Sequence, residues 1–157
     1  RADIIIITKC PHDLTDEKMR GIRKVINLKN HQTLFFTSIK YNNELLGKIN
    51  IEIGDLKNSK VLLVTGIADD KVIIDYLESK NIEFDKISFS DHYNYTFKDI
   101  QKIESEFNDR VIITTEKDYQ KIQSIKRKNK WYYLQMEIDF LKEEESFKIL
   151  VKETLSR

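Results

Sequence analysis

The sequence predicts an α/β protein: a three-layer α/β/α sandwich on a mainly parallel sheet. Three observations lead there. From Lys60 onward, short apolar runs alternate with amphipathic helical stretches, the rhythm of strand, helix, strand. Val61–Thr65 and Val111–Thr115 are continuous apolar runs, as in strands covered on both faces. The chain has 157 residues, 40% hydrophobic and 34% charged, enough for one substantial core and short for two domains.

Taken in order, Asp3–Thr8 is an uninterrupted β-branched run and predicts a buried parallel strand. Thr15 or Asp16 caps a helix whose stripe is Met19, Ile22, Val25, Ile26 and Leu28. Thr33–Ile39 predicts a strand, and Ile49, Ile51 and Ile53 alternate with polar residues as in a half-exposed one. Asn42, Asn43 and Gly47 lie between them and predict a hairpin-like ribbon over 32–54. The core of strand and helix repeats then covers 60–157. Val61–Thr65 is a strand, Gly66–Asp70 a loop and Val72–Leu77 part of a helix; Ile82–Phe89 is the next strand, followed by a helix from Thr96 to about Phe107. Val111–Thr115 and a helix over Glu116–Ile125 follow, then a strand over Trp131–Ile138 and an amphipathic helix over Phe140–Leu155.

Several function classes are excluded. Lys and Arg total 27 against 26 Asp and Glu, a formal charge of +1, so no broad positive field suits nucleic acid. Lys117–Lys130 is mostly basic and Glu137–Glu145 mostly acidic, which reads as two solvated faces. The single cysteine, Cys10, rules out an internal disulfide and a cysteine-based zinc site, and fits a reducing compartment. No apolar run approaches the ~20 residues that span a bilayer, so the chain is expected to be soluble by itself. It opens Arg1-Ala-Asp directly into a strand, as expected of a piece of a longer protein. No pair of its four glycines has the spacing of a phosphate-cradling loop, and no Ser sits in a nucleophile elbow.

Ligands of parallel sheets gather at the carboxyl ends of strands. Three such ends carry candidate chemistry: Gly66-Ile-Ala68, Asp91-His92-Tyr93 and Thr114-Thr-Glu-Lys-Asp118. Thr115 and Asp118 have the spacing of a capping box, which needs no ligand. Glu116 and Lys117 beside them would emerge at the sheet's mouth, where a carboxylate and an ammonium can handle a phosphorylated or metal-bound ligand. Asp91 and His92 are not needed as caps, because Thr96 and Asp99 already cap the next helix. A histidine there can exchange a proton near neutral pH or orient a carboxylate. It can equally be a turn residue bonded to the backbone, and both readings stay open on the residues alone. His12 and His31 read as surface loop residues.

In order along the chain, Arg1-Ala-Asp-Ile-Ile-Ile-Ile-Thr-Lys-Cys-Pro11, Val61-Leu-Leu-Val-Thr-Gly-Ile-Ala68, Phe89-Ser-Asp-His-Tyr93 with Tyr95-Thr96, and Ile112-Ile-Thr-Thr-Glu-Lys-Asp118 resemble the tetraacyldisaccharide 4'-kinase family, the lipid A kinases of Gram-negative bacteria. The resemblance runs from Arg1 to about Asp118, and more loosely to the end. It implies an enzyme that moves the γ-phosphate of ATP, with Mg2+, to the 4'-hydroxyl of the lipid A disaccharide precursor, at the cytoplasmic face of the inner membrane. It implies two α/β/α lobes joined by a two-stranded linker, with 1–157 as a single carboxyl-terminal lobe, inactive alone, and 32–54 as a candidate linker ribbon. The phosphate loop, metal-binding acids, catalytic aspartate and membrane-contacting helix would belong to the amino-terminal lobe, its intramolecular partner. His92 matches the family's Asp-His-aromatic motif, whose histidine sits against that aspartate, with Asp91 orienting the imidazole; Tyr93 stands where a second histidine is frequent. Glu116, Lys117 and Asp118 match the Thr-Thr-Glu-Lys-Asp motif and would face the same cleft, where nucleotide binding and helix capping both stay open as their role. The rival reading is a non-catalytic α/β module that binds a nucleotide or a partner protein at these strand ends.

Overall fold

The computed structural model describes residues 2–128 and 130–156, so Arg1, which opens the first motif above, lies outside the described residues along with Asn129 and Arg157. Its elements, in chain order, are β1 (Ile4–Ile7), α1 (Asp16–Ile26), β2 (Thr33–Leu46), β3 (Ile51–Glu52), a 3-10 turn (Ile53–Asn58), β4 (Val61–Thr65) and α2 (Lys71–Ser79). Then come β5 (Phe84–Ser88), α3 (Phe97–Glu106), β6 (Val111–Thr115), α4 (Glu116–Ile122), β7 (Trp131–Phe140) and α5 (Glu144–Leu155). Hydrogen-bonded strands follow the order β1-β2-β7-β6-β4-β5, with β3 on β2. The pairs β1/β2, β4/β5, β4/β6 and β6/β7 are parallel, and β2/β3 is antiparallel. The protein is an α/β fold with a mainly parallel sheet. Its chain divides into two compact units, one reaching to Lys40 and resuming at Glu137, the other Tyr41–Met136. Only β2 and β7 run from one unit into the other.

The second unit shows its three layers directly. On one face of the sheet Leu63, Val61 and Ile113 pack with Ile73 and Leu77 of α2. On the other, Leu62, Val64 and Ile112 pack with Ile100 and Ile103 of α3 and Ile122 of α4. Alternate residues of β4 and β6 thus serve opposite cores, which is why their sequences are apolar without interruption. The chain passes from β4 through α2 to β5, then back across β4 through α3 to β6, and outward through α4 to β7. The connections leaving β4 and β6 therefore diverge, α2 to one face and α4 to the other. That is a topological switch point, the place at the carboxyl ends of strands where ligands of such sheets commonly bind.

In the first unit, Leu34 and Phe36 of β2 pack with Met19 of α1 and with Cys10. Phe35 points the other way and meets Phe147 of α5 edge-on at 5.2 Å. Thr15 caps α1, its side chain accepting from the Lys18 N–H at 3.4 Å. Burial pushes the Cys10 thiol pKa up, against a smaller opposing backbone hydrogen bond involving Thr37.

Four sequence expectations are corrected. The first strand is not covered on both faces: β1 ends the strand order and Ile6 is 41% exposed. Val25 of the predicted stripe is exposed and Leu28 lies past the end of α1. Asn42 and Asn43 do not turn the chain, since β2 continues to Leu46, and the Asn42 carbonyl accepts from Tyr76 Oη at 2.9 Å. The turn comes at Gly47, whose N–H donates to Asn50 Oδ1 at 3.2 Å, and the ribbon expected over 32–54 pairs only Glu44 with Glu52 and Leu45 with Ile51. Finally, Phe140 still belongs to β7, and the last helix starts at Glu144, after Glu143 adopts a left-handed conformation with φ 63°.

Candidate active site at the strand ends

All three predicted strand ends lie in the second unit. At the end of β4 the Thr65 hydroxyl donates to Asp70 Oδ2 at 2.8 Å, and the Lys86 ammonium pairs with the same oxygen at 2.8 Å. Burial raises the Asp70 pKa, but the hydrogen bonds from Lys86 and Thr65 and the Lys86 charge outweigh it, leaving the carboxyl below its usual range.

After β5 the Phe89 N–H donates to the Thr65 carbonyl at 2.7 Å, tying the loop to the end of β4. The chain then turns at His92, whose φ of 58° is left-handed. Histidine is among the residues that tolerate this region, although it remains uncommon there. The turn is closed by the Tyr93 N–H donating to the Ser90 carbonyl at 3.1 Å, and by the His92 N–H donating to Asp91 Oδ1 at 2.9 Å. The His92 side chain is 78% exposed, with Nε2 3.4 Å from Asp91 Oδ2. Lys117 Nζ stands 3.5 Å from Asp91 Oδ1. Burial alone would raise the Asp91 pKa; the His92 N–H and the charges of His92 and Lys117 hold it below its usual range. Asp91, His92 and Lys117 thus form one solvent-facing group of carboxylate, imidazole and ammonium. An imidazole beside a carboxylate can exchange a proton, and the ammonium can meet an anion.

The end of β6 divides its motif. Glu116 is half-buried and Lys117 exposed, both at the start of α4. Asp118 is 0% exposed, and its carboxylate is spent on protein partners. It accepts from the Gly66 N–H at 2.7 Å, the Thr115 hydroxyl at 2.9 Å and Lys121 Nζ at 2.9 Å. Thr115 caps α4 as expected, its Oγ1 accepting from the Asp118 N–H at 3.1 Å. The other half of the expected box is corrected: the carboxylate turns across the sheet to Gly66 instead of to the cap's backbone N–H, because the end of β4 offers that donor. The box at Thr96 and Asp99 is complete.

Sequence reasoning missed Tyr95, which is 8% exposed and packs among Val64, Ile100 and Ile112. The available signal was the aromatic run Phe89, Tyr93, Tyr95. Among the described residues, no three His, Cys, Asp or Glu side chains are grouped to hold a metal ion, and no helix is long and apolar enough to cross a membrane.

Comparison with known proteins follows this geometry. The sequence pattern of the family described as Tetraacyldisaccharide-1-P 4'-kinase matches residues 1–156. The Tetraacyldisaccharide 4'-kinase of Flavobacterium johnsoniae is 36% identical over 152 residues, covering 96% of this chain and 44% of that protein. The one from Bacteroides thetaiotaomicron is 36% identical over 134 residues, covering 75% of this chain and 35% of the relative. A crystal structure of LpxK from Aquifex aeolicus, in complex with ATP, superposes with a TM-score of 0.57 at 19% identity, covering 98% of this chain and 53% of that one; it supports the fold. The chain spans about half the length or less of these proteins. With a pattern match over nearly every residue, the chain belongs to the tetraacyldisaccharide-1-P 4'-kinase family.

Proposed function

We propose that this chain is the carboxyl-terminal part of a lipid A 4'-kinase, and that Asp91, His92, Glu116 and Lys117 form its side of the active cleft. The observation that carries the reading is the convergence, at the sheet's switch point, of an exposed imidazole in a left-handed turn with a carboxylate and an ammonium. In the reaction, the 4'-hydroxyl oxygen of a tetraacyldisaccharide 1-phosphate forms a bond to the γ-phosphorus of ATP. The bond from that phosphorus to the bridging oxygen breaks, ADP leaves, and the hydroxyl proton passes to a base. That base is an aspartate of the amino-terminal part, as the resemblance implies. His92 holds it in place and tunes its basicity, while Asp91 orients the imidazole. Such support matters because phosphoryl transfer depends chiefly on positioning and charge stabilisation.

Lys117 is the group on this chain suited to a nucleotide phosphate, since its ammonium is half exposed and held only by a long 3.5 Å ion pair to Asp91 among the described residues. The Gly66 N–H is unavailable for that task, being bonded to Asp118. Glu116 lies beside the same mouth, and Asp118 supports the site from beneath it. Mg2+ would be held by acids of the amino-terminal part, where it would neutralise charge on the transferring phosphate. The chain alone would then be inactive. The two strands shared by its two units, β2 and β7, are the better candidates for the family's two-stranded linker than the short β2/β3 ribbon. The resemblance implies an enzyme at the cytoplasmic face of the inner membrane, held there through the amino-terminal part.

The test is phosphate transfer from ATP to a tetraacyldisaccharide 1-phosphate by the full-length protein, by this chain alone and by full-length His92→Asn. Activity in the full-length protein, none in the chain and a roughly hundredfold loss in the variant is the expected result. A full-length protein that binds ATP but transfers nothing would leave the non-catalytic binding module instead.

A further inference from the structure

The residues that follow β4 and β6 are joined at one backbone position, Gly66, next to Thr65, whose carbonyl accepts from the Phe89 N–H after β5. The Gly66 N–H donates to Asp118 Oδ2 at 2.7 Å. A Cβ added there would stand 2.7 Å from Tyr95 Oη and 3.1 Å from Asp118 Oδ1. Protein interiors are close-packed and give way little, so a methyl group at 66 must displace the tyrosine hydroxyl. Tyr95 in turn is the base of an aromatic trio. Its ring meets Phe89 edge-on at 5.1 Å and Tyr93 edge-on at 5.3 Å, and those two rings lie 4.5 Å apart. Phe89 and Tyr93 bracket Asp91 and His92 in sequence, so a shift of Tyr95 is carried into the turn that presents the imidazole. The Tyr95 hydroxyl is buried and has no hydrogen-bond partner among the described residues. A buried hydroxyl left unpaired costs free energy and marks a position determined by its surroundings rather than by its own bonds.

We propose that Gly66, Tyr95 and Asp118 form a positioning lock that fixes the His92 turn to the ends of β4 and β6. The lock rests on the kinase reading only for the task it gives His92. None of the three touches substrate in this account: Asp118 holds Gly66, the bare Cα of Gly66 admits the Tyr95 hydroxyl, and the Tyr95 ring sets the turn.

The test is a double-mutant cycle read by the imidazole carbon-proton resonances of the chain's three histidines and by turnover of the full-length protein. His92→Asn assigns the His92 signal. Gly66→Ala is expected to shift that signal while leaving those of His12 and His31 in place, and to lower kcat by roughly tenfold or more with KM little changed. In a Tyr95→Phe background the same Gly66→Ala change is expected to do much less, because the oxygen nearest the new methyl group is gone. A Gly66→Ala effect of equal size in both backgrounds, or no movement of the His92 signal, overturns the lock. If Gly66→Ala by itself fails to fold, recovery of folding in the Tyr95→Phe background supports the contact. Tyr95→Leu, which withdraws the ring but keeps an apolar side chain, must then move the His92 signal; an unmoved signal overturns the lock. A full-length protein without phosphate transfer would sink the kinase reading alone, and the resonance cycle would still decide on the lock.

Discussion

His92 combines a left-handed backbone with a side chain that stands 78% exposed, so its cost to the fold is local and its packing contribution small. That separates conformation from chemistry. Asparagine accepts a positive φ readily, whereas a β-branched residue does not. His92→Asn is therefore expected to leave unfolding free energy within about 0.5 kcal/mol of the parent, and His92→Val to lose about 1–2 kcal/mol, by urea titration of both. Equal stability of the two variants would mean that the turn relaxes to negative φ. At this scale the sequence was legible where a motif was contiguous: Asp91-His92-Tyr93 and Thr115-Glu-Lys-Asp118 could be singled out by position. It was not legible where partners are distant, as Gly66 and Asp118 are 52 residues apart and their bond follows from which strands become neighbours.

At the scale of elements, α3 shows how much one cap contributes. The Thr96 side chain accepts from the Asp99 N–H, while the Asp99 carboxylate accepts from the Thr96 N–H at 2.8 Å and hydroxyl at 2.7 Å. Thr96→Ala is expected to cost about 1 kcal/mol, measured by chemical denaturation. The Asp99 carboxyl is held below its usual pKa by the Thr96 side chain first and the Thr96 backbone second, against a smaller raising effect of burial. A carboxyl with a folded pKa below its unfolded value of about 3.9 stabilises the fold above that value, and the contribution is lost as pH falls through the folded pKa. Asp99→Asn should thus lower the melting temperature at pH 6, and the gap to the parent should narrow as pH falls below about 3.9. A gap that is constant with pH would show that the charge contributes nothing. Both boxes were legible as sequence spacing, but only α3 closes its box. At α4 the same spacing yields half of one, because the Gly66 N–H competes for the carboxylate. Element ends were similarly blurred: β2 runs through Asn42 and Asn43, where Tyr76 of α2 donates to the Asn42 carbonyl, a distant contact that nothing local announces.

Across the whole molecule, burial is uneven, and this makes stability uneven too. Every residue of β4 is buried and four of the five in β6, while α5 has no fully buried residue and leaves Ile149 and Leu155 exposed. The alternation of strands and helices was legible because β4 and β6 serve two cores and need apolar residues at every position. The amphipathic pattern of α5 was legible as a helix, but its shallow burial was not, since periodicity reports which face is apolar and not how much of it is covered. Local opening draws on the free energy of the contacts it breaks, so amide exchange should sort these elements. The amides of Leu62, Leu63, Ile112 and Ile113 are expected to exchange last, near the limit set by global unfolding, and those of α5 at least about a hundredfold faster. Leu63→Ala, at a site with 0% exposure, should then cost about 3–5 kcal/mol and bring the protection of β4, β6 and their helices down together. Protection in α5 as strong as in β4 would show that the helix is stabilised by more than the contacts of its own unit, and would overturn the ranking. The groups beneath the His92 turn, Gly66 and Asp118, follow the two strands expected to be best protected. Their framework is therefore expected to stay closed on the timescale of turnover, leaving the loop after β5 as the part whose position a single methyl group at Gly66 can change.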